Sequence, residues 1–302
     1  MINNAGFCRD KTIFGMSDEE FDAVDSRRRP WPYHKRSAGV CITLALALFL
    51  SACTTAEPTS GRPPNIVVIV ADDQGYGDVG AYGGDLPTPH IDSIARAGVR
   101  FSDGYVTAPG CVPSRCALLT GRYHQRFGCN NLLAGGQRLP PDQRTLAEYL
   151  HPRGYTSAII GKWHQGEAPD QHPLEQGFDE FFGFLRGIQL YLPEEQATDA
   201  PFYKLAQKRG GKLYRNRREI DESEYLTTAF GREAVAFIER HAGEPFFLYL
   251  PFNAVHLPLQ APSAYLDEFQ YIESERRRTY AAMTAALDDA VGAVLTALRR
   301  HD

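Results

Sequence analysis

A chain of 302 residues can bury a sizeable core in one large domain or two small ones. Its formal net charge of −5 carries no footprint of a nucleic-acid partner, and its six cysteines are too few to staple a scaffold of this length. Tyr and Phe are plentiful, which suits a globular enzyme or a carbohydrate binder alike, and no internal repeat or low-complexity segment is present.

Residues 1–25 are mixed polar and aperiodic, and a basic run follows at Arg27, Arg28, Arg29, Lys35 and Arg36. The apolar run Ala38–Leu50 is 13 residues long, the length of a signal-peptide core and too short to span a bilayer. It ends in Leu50-Ser51-Ala52-Cys53, which resembles a bacterial lipobox. That resemblance implies cleavage before Cys53, a lipid anchor on Cys53, and an exported protein held at a membrane in the periplasm or on the cell surface. A plain secretory signal or a buried helix is the competing reading. Residues 1–53 are thus expected to be extension and leader. Residues 54–64, rich in Pro, Ser and Thr, are expected to be a flexible tether.

From Asn65 the pattern alternates strands and helices. Asn65–Ala71 is a continuous β-branched run, as in a strand buried on both faces. It leads into Asp72-Asp73. Two adjacent carboxylates repel unless a cation or base lies between them, and hard oxygen ligands suit calcium or magnesium; a solvated turn is the bland alternative. His90–Ala97 reads as a helix closed by Gly98, and Val99–Val106 as a strand. Next comes Gly110-Cys111-Val112-Pro113-Ser114-Arg115-Cys116, continuing to Thr120-Gly121-Arg122. Pro113 suits a first helical turn, which puts Cys111 at a helix N-terminus where free N–H groups favour an anion. Arg115 lies one turn on and can reach the same point. Alternatively, Cys111 is simply a small buried hydrophobe.

Thr145–His151 reads as a helix, and Tyr155–Ile160 as a strand running into Gly161-Lys162-Trp163-His164. The stretch Gly177–Gly183 reads as an aromatic turn that packs into the core, and the basic residues between 204 and 219 as a solvated loop. Thr227–His241 has the apolar spacing of an amphipathic helix, Phe246–Leu250 is a strand, and Asn253, Val255, His256 and Pro258 follow it. Tyr280–Leu298 is the last helix, with Asp288 and Asp289 expected to be solvated or capping groups. Three strands therefore end in polar groups, at Asp72-Asp73, Lys162 to His164 and His256. Such convergence is what an α/β active site requires. The expected class is α/β, with a mostly parallel sheet flanked by helices.

The motif Cys111 to Arg115 with its Thr120-Gly121-Arg122 close, together with Gly161 to His164 and Gly177 to Gly183, resembles the type I sulfatases over residues 64–302. The resemblance implies an alkaline-phosphatase-like fold and hydrolysis of a sulfate ester, on a sulfated small molecule or glycan. It further implies that a separate maturation enzyme oxidises Cys111 to formylglycine, whose hydrate attacks sulfur. Asp72, Asp73 and residue 111 would hold calcium, or magnesium. Arg115 and Lys162 would steady the formylglycine, Lys162 and His256 would contact the sulfate, His164 would act as base, and His256 would help protonate the departing alcohol. One departure is local: Gln165-Gly166 stands where the family commonly has Leu-Gly. The family pattern also continues with an Asp-Asn pair at a further strand end, a lysine and a smaller domain. Residues 65–302 are thus expected to be the N-terminal portion of a catalytic domain whose C-terminal part is missing. Two alternatives accompany this reading: a truncated, inactive sulfatase-like lipoprotein or binder of sulfated glycans, and a phosphonate or phosphate ester hydrolase of the same superfamily. Cys116 and Cys129 could form a disulfide or stay buried thiols.

Overall fold

The structure, a computed structural model, describes residues 2–3, 62–130, 138–193 and 203–301. Apart from Arg62 these belong to one compact unit. The expected leader with its Cys53, and the tether up to residue 61, fall outside the described residues, Ile2 and Asn3 excepted.

Seven strands form one sheet: β1 (Ile2–Asn3), β2 (Ile66–Ala71), β3 (Thr156–Lys162), β4 (Glu180–Phe184), β5 (Leu213–Arg215), β6 (Arg218–Ile220) and β7 (Phe246–Pro251), in the order β1-β2-β7-β3-β4-β5-β6. The first five strands in that order run parallel. The short hairpin β5–β6 adds antiparallel at the far edge. Parallel neighbours need crossover connections that bring helices onto the faces.

The continuous apolar runs have a direct cause: successive side chains of a strand point to opposite faces, and both faces are covered. On one face Phe246, Leu248 and Leu250 of β7 pack with Ala158 and Ile160 of β3 against α5 (Leu226–Arg240) and α7 (Glu275–His301). On the other, Phe247 and Tyr249 pack with Ile159 and Phe181 against α2 (Cys111–Thr120) and α3 (Leu146–Leu150). Thr145 caps α3 in a reciprocal box with Glu148. The remaining α-helices among the described residues are α1 (Pro89–Ala97), α4 (Tyr203–Arg209) and α6 (Ser263–Glu268).

Asp288 confirms one half of its expectation and corrects the other. It is 2 % exposed, and its two oxygens accept the His90 and Ile91 N–H groups at 3.1 and 2.8 Å. It therefore caps α1 from the distant helix α7, in place of Thr88, whose side chain makes no capping bond. Asp289 accepts from the Tyr265 hydroxyl at 2.9 Å.

Three local expectations are corrected. Val99–Val106 forms no strand: it has no ladder partner among the described residues, and Val99, Phe101 and Tyr105 are exposed. A β-rich run predicts a strand only where a neighbour supplies hydrogen bonds. The expected turn around Phe181 is the strand β4, packed on both faces. The basic run is helix α4 plus the β5–β6 hairpin. Three of its cations are matched by carboxylates: Lys212 to Glu219 at 2.6 Å, Arg215 to Glu233 at 2.8 Å, and Arg217 to Glu175.

Candidate active site

Because β2, β7 and β3 are parallel neighbours, their carboxyl ends open on the same side of the sheet. Asp72-Asp73 follow β2, Lys162 ends β3 with His164 beyond it, and the Asn253–His256 segment follows β7. The strand ends approach closely. Gly161 has φ 132°, and a Cβ there would lie 2.1 Å from the Pro251 carbonyl oxygen, so the motif needs its glycine. The N–H of Asp72 donates to the Ala254 carbonyl and that of Val255 to the Asp72 carbonyl, both at 2.8 Å, which locks the β2 end to the segment carrying His256.

Helix α2 brings the fourth component. Cys111 is its first residue, and the N-cap Gly110 offers no side-chain acceptor. Pro113 has no N–H, so the first-turn donors are those of Cys111 and Val112. Arg115 is buried beneath them. Its Nη1 donates to the Lys162 carbonyl at 2.9 Å, and its Nη2 lies 3.5 Å from Asp72 Oδ1. The Lys162 ammonium pairs with the other Asp72 oxygen, and both side chains are fully buried. Burial alone would raise the Asp72 carboxyl. Lys162 and Arg115 outweigh it and hold that carboxyl well below the usual range. Asp73 behaves oppositely: burial and the charge of Asp72 push its carboxyl up.

His256 sits with Nε2 3.7 Å from Asp73 Oδ2 and Nδ1 2.7 Å from the Leu257 carbonyl. A carbonyl only accepts, so Nδ1 carries the hydrogen when Nε2 is unprotonated. Tyr191 braces the segment, its hydroxyl lying 2.5 Å from the Asn253 carbonyl oxygen and 2.8 Å from that of His256. His164 and Asp73 both occupy the left-handed region, at φ 56° and 59°, which costs a non-glycine residue energy and often marks a functional site. The His164 ring lies against Gly187, where a Cβ would be 2.2 Å from Cε1. Burial, then Lys162, Arg115 and Arg138, depress the imidazole far below its ordinary value, so it is neutral near pH 7. Burial also pushes the Cys111 thiol up, against the pull of Lys162.

Every expected site residue except Cys53 thus converges at one place. Sequence reasoning missed three supporting groups. Gln165 is fully buried, and its Nε2 donates to the Val112 carbonyl at 3.2 Å, tying the β3 end to the first turn of α2. It had shown only as a departure from the motif. Tyr191 and Gly187 carried no signal, because their roles depend on neighbours distant in sequence. Cys116 of α2 and Cys129 form a disulfide, which resolves that open pair.

The donor set at the β2 end fits a hard divalent cation. Asp72 Oδ1 is buried without a hydrogen-bond partner, and the Asp73 carboxyl beside it is destabilised by the charge of Asp72. A second cluster, His90, Asp288 and Asp289, brings donor atoms within 4.8 Å of one another, but both Asp288 oxygens serve α1.

Comparison with known proteins agrees with this geometry. The family model described as Sulfatase matches residues 64–302. Arylsulfatase J of Mus musculus is 36% identical over 264 residues, covering 83% of this chain and 43% of the relative. N-acetylgalactosamine-6-sulfatase of Sus scrofa is 35% identical over 272 residues, covering 84% of this chain and 50% of the relative. Among solved structures, Ps i-CgsB in complex with k-i-k-neocarrahexaose superposes with a TM-score of 0.72 at 40% identity, covering 80% of this chain and 56% of that one. The chain spans about half the length of the curated relatives it matches. By family model, by sequence and by its alkaline-phosphatase-like α/β fold, the chain belongs to the sulfatase family.

Proposed function

We propose that this chain carries the nucleophile-bearing part of a sulfate ester hydrolase site. The observation that carries the reading is the placement of Cys111 at the N-terminus of α2, within reach of the charges of Lys162, Asp72, Arg115 and Asp73. Oxidised to formylglycine by a maturation enzyme, residue 111 would supply an oxygen nucleophile. The raised thiol pKa argues against an unmodified thiolate in that role. Asp72 and Asp73, with residue 111, would hold the divalent cation, calcium by preference, which when bound would draw charge from the sulfate oxygens.

The chain's own groups supply the rest. The first-turn N–H groups of α2 and the buried guanidinium of Arg115 stabilise negative charge at the reacting group. Lys162 holds the Asp72 carboxylate ionised, and its charge reaches residue 111. His164 stays neutral, and its Nδ1 is buried without a partner, so it can accept a proton. His256 has Nδ1 fixed on a carbonyl and Nε2 toward Asp73, so Nε2 is the atom that would deliver a proton to the leaving alcohol.

A sulfated glycan is the favoured substrate class. The support is the names of the relatives: an N-acetylgalactosamine-6-sulfatase, and a structure holding k-i-k-neocarrahexaose. The lipobox reading of Cys53 makes the protein an exported, membrane-anchored lipoprotein.

The test is turnover of para-nitrophenyl sulfate by the chain coexpressed with a formylglycine-generating enzyme, with mass spectrometry of the Cys111 peptide. Cys111→Ala and Cys111→Ser should fold normally and lose multiple turnover. Full turnover by either variant would sink the assignment. Faster turnover of the matching phosphonate ester would shift the reading to a phosphonate hydrolase.

A further inference from the structure

Arg138 belongs to none of the motifs discussed above, yet its surroundings single it out. The next residue, Leu139, is fully buried in the apolar cluster that contains Val112 and Cys116 of α2 and Trp163. Leu139 thus ties the backbone of Arg138 to the apolar cluster on the α2 side of the sheet. From there its charge reaches the His164 imidazole, together with those of Lys162 and Arg115.

The Nη1 atom of Arg138 is buried and donates to nothing. A buried charged donor without an acceptor is costly, so native structures rarely keep one without a reason. The two carboxylates of the site are engaged elsewhere. Asp72 faces Lys162 and Arg115, and Asp73 faces His256. A ligand can supply the acceptor that Arg138 Nη1 lacks. A planar guanidinium matches the paired oxygens of a sulfate ester or a carboxylate.

Building on the sulfate ester reading, we propose that Arg138 is a specificity-determining residue that binds a second anionic group of the substrate, beside the sulfate that reacts. The site would then prefer a sugar chain carrying two negative groups close together over one carrying the reacting sulfate alone.

The experiment is calorimetric titration of the full chain bearing Cys111→Ala, so that no probe is turned over. The probes are a monosulfated disaccharide, the disulfated disaccharide of the same backbone, and a monosulfated disaccharide that contains a uronic acid. Each is bound with and without Arg138→Leu. The expected result is that Arg138→Leu weakens the disulfated probe by about 10- to 100-fold, the range of a charge-assisted hydrogen bond, and leaves the monosulfated probe unchanged. Arg138→Lys, which keeps charge but not the fork, should recover part of the loss. The uronic-acid probe shows whether a carboxylate serves as well as a second sulfate. Equal weakening of the mono- and disulfated probes, or no effect on either, overturns the proposal. If the parent protein binds none of the probes, the sulfate ester reading fails first, and the proposal with it.

Discussion

Replacing Lys162 with methionine tests the electrostatic core of the site. Methionine fills a similar volume without charge. It leaves the Asp72 carboxylate fully buried, with only Arg115 Nη2 at 3.5 Å to compensate it. At an effective dielectric of about 20, opposite charges about 3 Å apart attract by about 5 kcal/mol, much of it offset by desolvation. Deleting one member of a buried pair costs about 3–5 kcal/mol, because the other charge is stranded. Arg115 remains, so the expected loss lies at the lower end, about 3 kcal/mol. Urea unfolding of the full chain in chelator, so that no cation replaces the ammonium, measures it through the shift in midpoint. Adding Asp72→Asn to the same variant removes the stranded charge and should recover most of the loss. An unchanged midpoint in Lys162→Met, or a loss that Asp72→Asn fails to recover, would refute the reasoning.

Asp288→Ala strips two buried N–H groups of α1 of their acceptor and should cost about 2–4 kcal/mol in thermal or urea unfolding, whereas Asp288→Asn, which keeps one acceptor oxygen, should cost less. Burial raises the Asp288 carboxyl despite the two N–H bonds, so the folded protein holds that proton more tightly than the unfolded chain. Its contribution is therefore fullest below the unfolded value of about 4 and is lost as pH rises through the folded value. The advantage of the native protein over Asp288→Asn should narrow across that rise, and a widening would contradict it. Gln165→Leu should cost about 1 kcal/mol and speed hydrogen exchange in the first turn of α2, leaving the last turn protected; uniform exchange along α2 would deny Gln165 its bracing role. Gly187→Ala should push the His164 ring out of its pocket, moving its titration by NMR up toward about 6.5; an unmoved titration would show that the ring does not depend on that space.

The sequence alone determined the strands that form the centre of the sheet and the polar groups at their ends. Ile66–Ala71 and Phe246–Pro251 are continuous apolar runs because helices cover both faces of a parallel sheet, and that composition is local and readable. Cys111 at a helix start was legible because Pro113 and Gly121 mark the two ends of α2. What only the tertiary structure decided was pairing. Val99–Val106 has strand composition but no ladder partner among the described residues, whereas the Phe181 segment gains one in β3. Lys162 reads as a cation available for sulfate, and only the fold sets it against Asp72, 90 residues away in sequence. Gln165, Tyr191 and Arg138 escaped sequence reading for the same reason, and Asp288 was legible as a capping group but not as the cap of the distant helix α1. A polar side chain takes its role from the partner it meets, and that partner is chosen by how the sheet and helices stack, not by the residues beside it in the chain.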